Sequence, residues 1–123
     1  MKMRQAGAPK LLIAEDQAAL RRVIRTVVAG LAGEIRDCVS AGDLEQTYAA
    51  WKPDFVLIDA EMKTLDAFSA MRSIKGVNPS AKVIIVSGYH SAEMREAAMK
   101  AGALAYVMKE DLLEIGRLLV LHR

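Results

Sequence analysis

Three carboxylates, one hydroxyl and one ammonium fall at the ends of short apolar runs in this chain. Glu15 and Asp16 follow LLIA, Asp59 follows FVLI, Ser87 follows VIIV and Lys109 follows YVM. Three acids brought together repel one another, and a divalent cation among them relieves the repulsion and holds them ionised at neutral pH. Hard oxygen donors, with no His or Cys beside them, favour magnesium over zinc. With such an ion in place Asp59 can attack a phosphoryl group, while Ser87 and Lys109 offer its oxygens a hydroxyl and a positive charge. No glycine-rich cradle follows the first run, so a nucleotide or flavin phosphate has no evident seat there.

The elements that must position these residues are legible from periodicity. Five runs, Lys10 to Ala14, Ile35 to Val39, Phe55 to Ile58, Val83 to Val86 and Leu104 to Val107, are rich in Val, Ile and Leu. They lack polar alternation, as expected of parallel strands covered on both faces. A helical pattern follows each. Leu20, Val23, Ile24, Val27, Val28 and Leu31 make an apolar stripe opposite Arg21, Arg22 and Arg25. Leu44, Tyr48 and Trp51 make a second stripe, stopped by Pro53, and Leu65, Phe68, Met71 and Ile74 a third, with Gly76 as its expected C-cap. Ser91 can cap a fourth helix ending at Gly102, and Asp111 opens a fifth. Repeated βα units predict an α/β domain: a parallel sheet with right-handed crossovers and helices on both faces. In such a sheet the working site lies beyond the carboxyl ends of the strands, where strand order reverses.

At 123 residues the chain has the length of one domain, divided here into a loose lead-in over residues 1–9 and a single domain over 10–123. Cys38 is the sole cysteine, so no internal disulfide forms, and a cytoplasmic location is expected. Seventeen basic and 15 acidic residues leave a net charge of +2, without the basic run or aromatic-interleaved patch of a direct nucleic-acid binder. No apolar run approaches the roughly 20 residues that span a bilayer, and Met1 to Pro9 lacks a signal-peptide core. No membrane partner is expected.

Taken singly, each chemical residue has a plainer reading. Glu15 or Asp16 can cap the first helix, Asp59 can open a loop, Ser87 can sit in a turn, Lys109 can be solvated, and Tyr106 can be a half-buried core ring. Those readings do not explain why acids, hydroxyl and ammonium share one edge. His90 and His122 have no partner at metal-ligand spacing and read as surface residues, while Tyr48 and Trp51 read as core.

In LLIAEDQ, PDFVLIDAEM, VIIVSGY and AGALAYVMKE, taken in order, the chain resembles a receiver (phosphoacceptor) domain of the two-component response-regulator family, from about Lys10 to the C-terminus. The resemblance implies a flavodoxin-like (βα)5 three-layer sandwich with strand order 2-1-3-4-5. It implies Asp59 as phosphoacceptor, helped by Ser87 and Lys109. It implies magnesium on Asp16, Asp59 and the backbone carbonyl of Glu61, with Glu15 acting through a metal-bound water. Tyr106 falls at the switch aromatic, and Glu61 and Tyr89 at positions that tune acyl-phosphate lifetime.

The pattern is broken in places. Glu110 stands where the family has a proline preceded by a cis bond, and a cis bond without proline costs about 2.5–4 kcal/mol, so a trans Lys109–Glu110 bond is expected. Lys63 stands in place of proline, Ala67 of glycine and Ser87 of the commoner threonine. The expected partners are a sensor histidine kinase or phosphotransfer protein, and downstream an unknown protein or a second copy through the last helix. There Leu112, Ile115 and Leu119 can face the sheet, leaving some of Leu113, Leu118, Val120 and Leu121 exposed. Two alternatives stay open: a receiver-like binding module that is never phosphorylated, and a haloacid-dehalogenase-type phosphohydrolase, prompted by the acid two residues after Asp59.

Overall fold

The computed structural model describes residues 7–123; the greater part of the lead-in, residues 1–6, lies outside the described residues. Five strands, β1 (Leu11–Ala14), β2 (Ile35–Cys38), β3 (Phe55–Asp59), β4 (Lys82–Ser87) and β5 (Ala105–Met108), alternate with five helices. These are α1 (Ala18–Val28), α2 (Ala41–Trp51), α3 (Ala67–Val77), α4 (Ala92–Lys100) and α5 (Leu113–Leu121). All strand pairs are parallel and the sheet order is β2-β1-β3-β4-β5, the flavodoxin-like arrangement expected from the sequence.

β1, β3, β4 and β5 are buried on both faces, whereas the edge strand β2, expected to be covered like the others, exposes Arg36 and Asp37; the side chains sort by the two-residue period of a pleated sheet. Leu12, Ala14, Val56, Ile58, Val83 and Ile85 face one layer, with Leu44, Tyr48 and Trp51 of α2, Met71 and Ile74 of α3 and Ala98 of α4. Leu11, Ile13, Phe55, Leu57, Ile84 and Val86 face the other, against Ile24 and Val28 of α1 and Ile115, Leu118 and Leu119 of α5. Each fully buried aliphatic side chain contributes about 1.5–3 kcal/mol. The helices of the second layer meet closely at Gly116, where an added Cβ would stand 2.9 Å from Leu31 Cδ1.

Several local expectations need correction. Val23 is exposed, because the buried centre of α1 runs through Ile24 and Val28 instead. Leu65 is buried but precedes α3, whose N-cap is Asp66: its carboxylate accepts from the N–H groups of Phe68 and Ser69. Gly76 lies inside α3, which ends at Val77 with Asn78 as C-cap. The side chain of Asp111 caps nothing; its carbonyl accepts the Glu114 N–H in a turn leading into α5. The last helix is as expected: Leu113, Val120 and Leu121 are exposed, while Leu118 is buried together with Leu112, Ile115 and Leu119. Ser91 caps α4 through the Met94 N–H, and Gly102, at φ 100°, follows its end as expected. Among the described residues no peptide bond is cis, so Lys109–Glu110 is trans. Nor is any helix among them long and apolar enough to cross a membrane.

Candidate functional site

The sheet order reverses between β1 and β3, and the carboxyl ends of these strands lie side by side: Ala14 pairs with Ile58. Glu15 and Asp16 therefore leave β1 beside Asp59, the last residue of β3. One carboxylate oxygen from each of the three lies within 4.8 Å of the others. Glu15 and Asp59 are buried, at 0% and 1% exposure, and Asp16 is partly open. The Gln17 N–H donates to Glu15 Oε1 at 3.0 Å, and the Lys63 N–H to Asp16 Oδ2 at 3.2 Å. Glu15 Oε2 is buried without a partner among the described residues.

An unpartnered buried carboxylate oxygen facing two more acids is a costly arrangement for side chains alone. Burial first, and then the adjacent Asp59 carboxylate, push the Glu15 pKa up to about 8, with the Gln17 N–H and Lys109 acting in the opposite direction. The all-oxygen cluster and its orphaned atom fit a hard divalent cation.

Lys109 reaches the cluster from the end of β5, which pairs with β4 through Ser87 and Met108. Its backbone N–H donates to the Ser87 carbonyl at 2.9 Å, and its ammonium stands 3.0 Å from Asp59 Oδ1 and 3.2 Å from Glu61 Oε1. Burial works to lower the Lys109 pKa, but hydrogen bonds and charge pairing with Asp59 and Glu61 outweigh it and hold the ammonium above its usual value. The Glu61 N–H donates to the same Asp59 Oδ1 at 2.8 Å, so Asp59 is held by one ammonium and one backbone donor.

The Glu61 side chain turns back over this pocket. Its Oε2 accepts from Ser87 Oγ at 2.7 Å, and its Oε1 from the Gly88 N–H at 2.6 Å. From the sequence, Glu61 is expected to serve through its backbone carbonyl and in rate tuning, and it is the acid behind the phosphohydrolase alternative; the seat of its carboxylate among Ser87, Gly88 and Lys109 is not evident there. Only a side chain as long as Glu, set two residues past a strand-end acid, gave any signal of it.

From Ser87 a hydrogen-bond path runs outward. The Tyr89 N–H donates to Ser87 Oγ at 3.1 Å, and the Tyr106 hydroxyl donates to the Tyr89 carbonyl at 2.9 Å. Tyr106 is buried, with the Arg95 guanidinium 5.0 Å from its ring centroid, while the Tyr89 ring is exposed. His90, read as a surface residue, is exposed and pairs with Glu110, tying the loop after β4 to the loop after β5. Lys63 meets Asp16 through its backbone N–H rather than its ammonium. The structure thus brings Glu15, Asp16, Asp59, Glu61, Ser87 and Lys109 into one pocket and links Tyr89 and Tyr106 to it.

A family model described as response regulator receiver domain matches residues 11–117. The chemotaxis protein CheY of Thermotoga maritima is 27% identical over 101 residues, covering 81% of this chain and 84% of that protein. The transcriptional regulatory protein ZraR of Salmonella typhimurium is 26% identical over 103 residues, covering 84% of this chain but 23% of that protein. Among solved structures, a DNA-binding response regulator of the LuxR family from Staphylococcus aureus superposes with a TM-score of 0.77 at 28% identity, covering 89% of this chain and 93% of that one.

Proposed function

The chain belongs to the response regulator receiver family, and from that premise we propose that it accepts a phosphoryl group on Asp59 and thereby changes the partner it binds. Receiver domains interact with histidine kinases or phosphotransfer proteins, and such a protein, presenting phosphohistidine, is the proposed donor here. The observation that carries the reading is the buried Asp59, with the Lys109 ammonium 3.0 Å from its Oδ1 and two more carboxylates within 4.8 Å.

In this reaction a carboxylate oxygen of Asp59 bonds to phosphorus as the phosphorus–nitrogen bond of the donor breaks. The departing imidazole takes up a proton and an acyl phosphate remains on this chain. Asp16, Asp59 and the backbone carbonyl of Glu61 would hold magnesium, with Glu15 acting through a water on it. When bound, the ion supplies positive charge against the carboxylates and the phosphoryl oxygens. Lys109 holds a fixed positive charge beside the attacking carboxylate and pairs with a phosphoryl oxygen once the group arrives. The Ser87 hydroxyl and the Gly88 N–H, which the Glu61 carboxylate takes in this structure, are the donors proposed for the other oxygens once that carboxylate has moved aside.

The added group carries roughly 1.5 to 2 negative charges at one point. Its pull on Ser87 passes along Tyr89 to Tyr106 by the hydrogen bonds described above. The responding surface is proposed to include the exposed Leu113, Val120 and Leu121 of α5, where a downstream protein or a second copy of the chain would dock.

The test is intact-mass measurement after incubation with phosphoramidate, with and without magnesium. Gain of one phosphoryl group by the native chain, dependent on magnesium and lost in Asp59→Asn, is the expected result. An unmodified native chain would leave the reading as a binding module that is never phosphorylated.

A further inference from the structure

Glu61 already occupies the groups that the proposed reaction assigns to a phosphoryl group. Its carboxylate takes the Ser87 hydroxyl at 2.7 Å, the Gly88 N–H at 2.6 Å and the Lys109 ammonium at 3.2 Å. These donors converge from the ends of β4 and β5, and together they form a seat for one anionic group with at least two oxygens. The seat is filled closely: a Cβ added at Gly88 would lie 3.4 Å from Glu61 Oε1.

We infer that the Glu61 side chain is an internal stand-in for the phosphoryl group, filling the seat made by Ser87, Gly88 and Lys109 in the unmodified chain. The inference rests on the reading of Asp59 as phosphoacceptor and adds a residue that governs access to it. The backbone fixes the placement: the Glu61 N–H is bonded to Asp59 Oδ1 at 2.8 Å, so its side chain starts beside the acceptor and has the length to span to the loop after β4. An aspartate here would be one methylene shorter.

Two consequences follow, with opposite signs. A phosphoryl group can take its donors only after the Glu61 carboxylate leaves, so Glu61 slows entry and weakens binding of any phosphoryl-like anion. While seated, Glu61 holds Ser87, and through Ser87 the path to Tyr89 and the Tyr106 hydroxyl, in the arrangement that an anion in the seat imposes. The unmodified chain therefore keeps part of the switched arrangement by itself. Simple repulsion between Glu61 and an incoming anion would produce the first effect without the second.

The experiment uses magnesium and beryllium fluoride, a non-covalent analogue of the aspartyl phosphate, with the full chain and its Glu61→Ala and Glu61→Gln variants. Affinity is read from the Gly88 amide resonance and the state of the path from the Tyr106 ring resonances. A seat filled about nine-tenths of the time lowers apparent affinity about tenfold, so Glu61→Ala should bind the analogue about tenfold more tightly than the native chain. Without analogue, its Tyr106 resonances should move from the native positions, and the analogue should return them. Glu61→Gln, which keeps the length but loses the charge, should fall between. Equal affinities in all three chains, with Tyr106 unmoved, overturn the inference and leave the phosphoacceptor reading standing. Tighter binding with Tyr106 unmoved overturns the hold on Tyr106 and leaves simple competition. Failure of every chain to bind the analogue removes the phosphoacceptor reading, and the inference with it.

Discussion

The ammonium of Lys109 reaches Asp59 Oδ1 at 3.0 Å from a strand end whose next residue is Glu110 and whose next peptide bond is trans. Its position is held by strand pairing, through its own N–H on the Ser87 carbonyl at 2.9 Å, and by the pairing of Glu110 with His90 across the two loops. A proline ring after the lysine is not needed to aim the side chain at Asp59.

Lys109→Ala removes the ammonium that stands 3.0 Å from Asp59 Oδ1 and leaves the three carboxylates without it. Loss of a preorganised donor of developing charge costs about 2.7–4 kcal/mol, so phosphorylation by a small donor should slow about 100- to 1,000-fold while the fold persists. Initial rates from intact mass, with circular dichroism as the control for folding, check this. A rate unchanged from the native chain would remove Lys109 from the reaction.

Glu15 makes the metal-free domain sensitive to pH. Its pKa is about 8 in the folded chain against an ordinary 4.5, so between these values the folded state keeps a proton that the unfolded state has released. Stability contributed by this group therefore falls as pH rises through that window, and levels off above it. Magnesium binds the ionised form, so its binding should release a proton and its stabilising effect should grow from about pH 6 to about pH 8.5. Denaturant unfolding at both pH values, with and without magnesium, measures this. A Glu15→Gln variant whose stability kept the same pH slope would place the effect elsewhere.

Asp66→Ala should cost about 1 kcal/mol of stability, because its carboxylate takes two N–H groups at the start of α3. Ser91→Ala should cost a similar amount at α4, where the hydroxyl takes the Met94 N–H. The two caps lie on different helices, so the losses should add, and chemical denaturation of the single and double variants checks that.

The inner strands were the most legible part of the sequence because they are covered on both faces, which leaves unbroken runs such as Leu11 to Ala14 and Val83 to Val86, while the edge strand β2 carries the exposed Arg36 and Asp37. The acidic cluster followed from the rule for open parallel sheets, since Glu15 and Asp59 end adjacent strands. Helix boundaries were less legible. Leu65 completes a helical stripe in sequence yet sits before α3, because the Asp66 carboxylate starts the helix after it. Val23 differs from expectation because the width of a helix's buried face depends on which helix lies beside it, and α1 packs on α5. The Glu61 seat was not legible, because its donors lie 26 residues or more away along the chain and converge only when the loops after β3, β4 and β5 are folded together.

Asp59 is the residue proposed to carry the phosphoryl group. Borohydride reduces an aspartyl phosphate to homoserine, so treating the chain with phosphoramidate and magnesium, trapping with borohydride and mapping peptides by mass names the modified residue. Homoserine at position 59 and nowhere else, with none formed when magnesium is withheld, is the expected result. Homoserine at Asp16 or another acid, or none at all in a folded chain supplied with donor and metal, would contradict it.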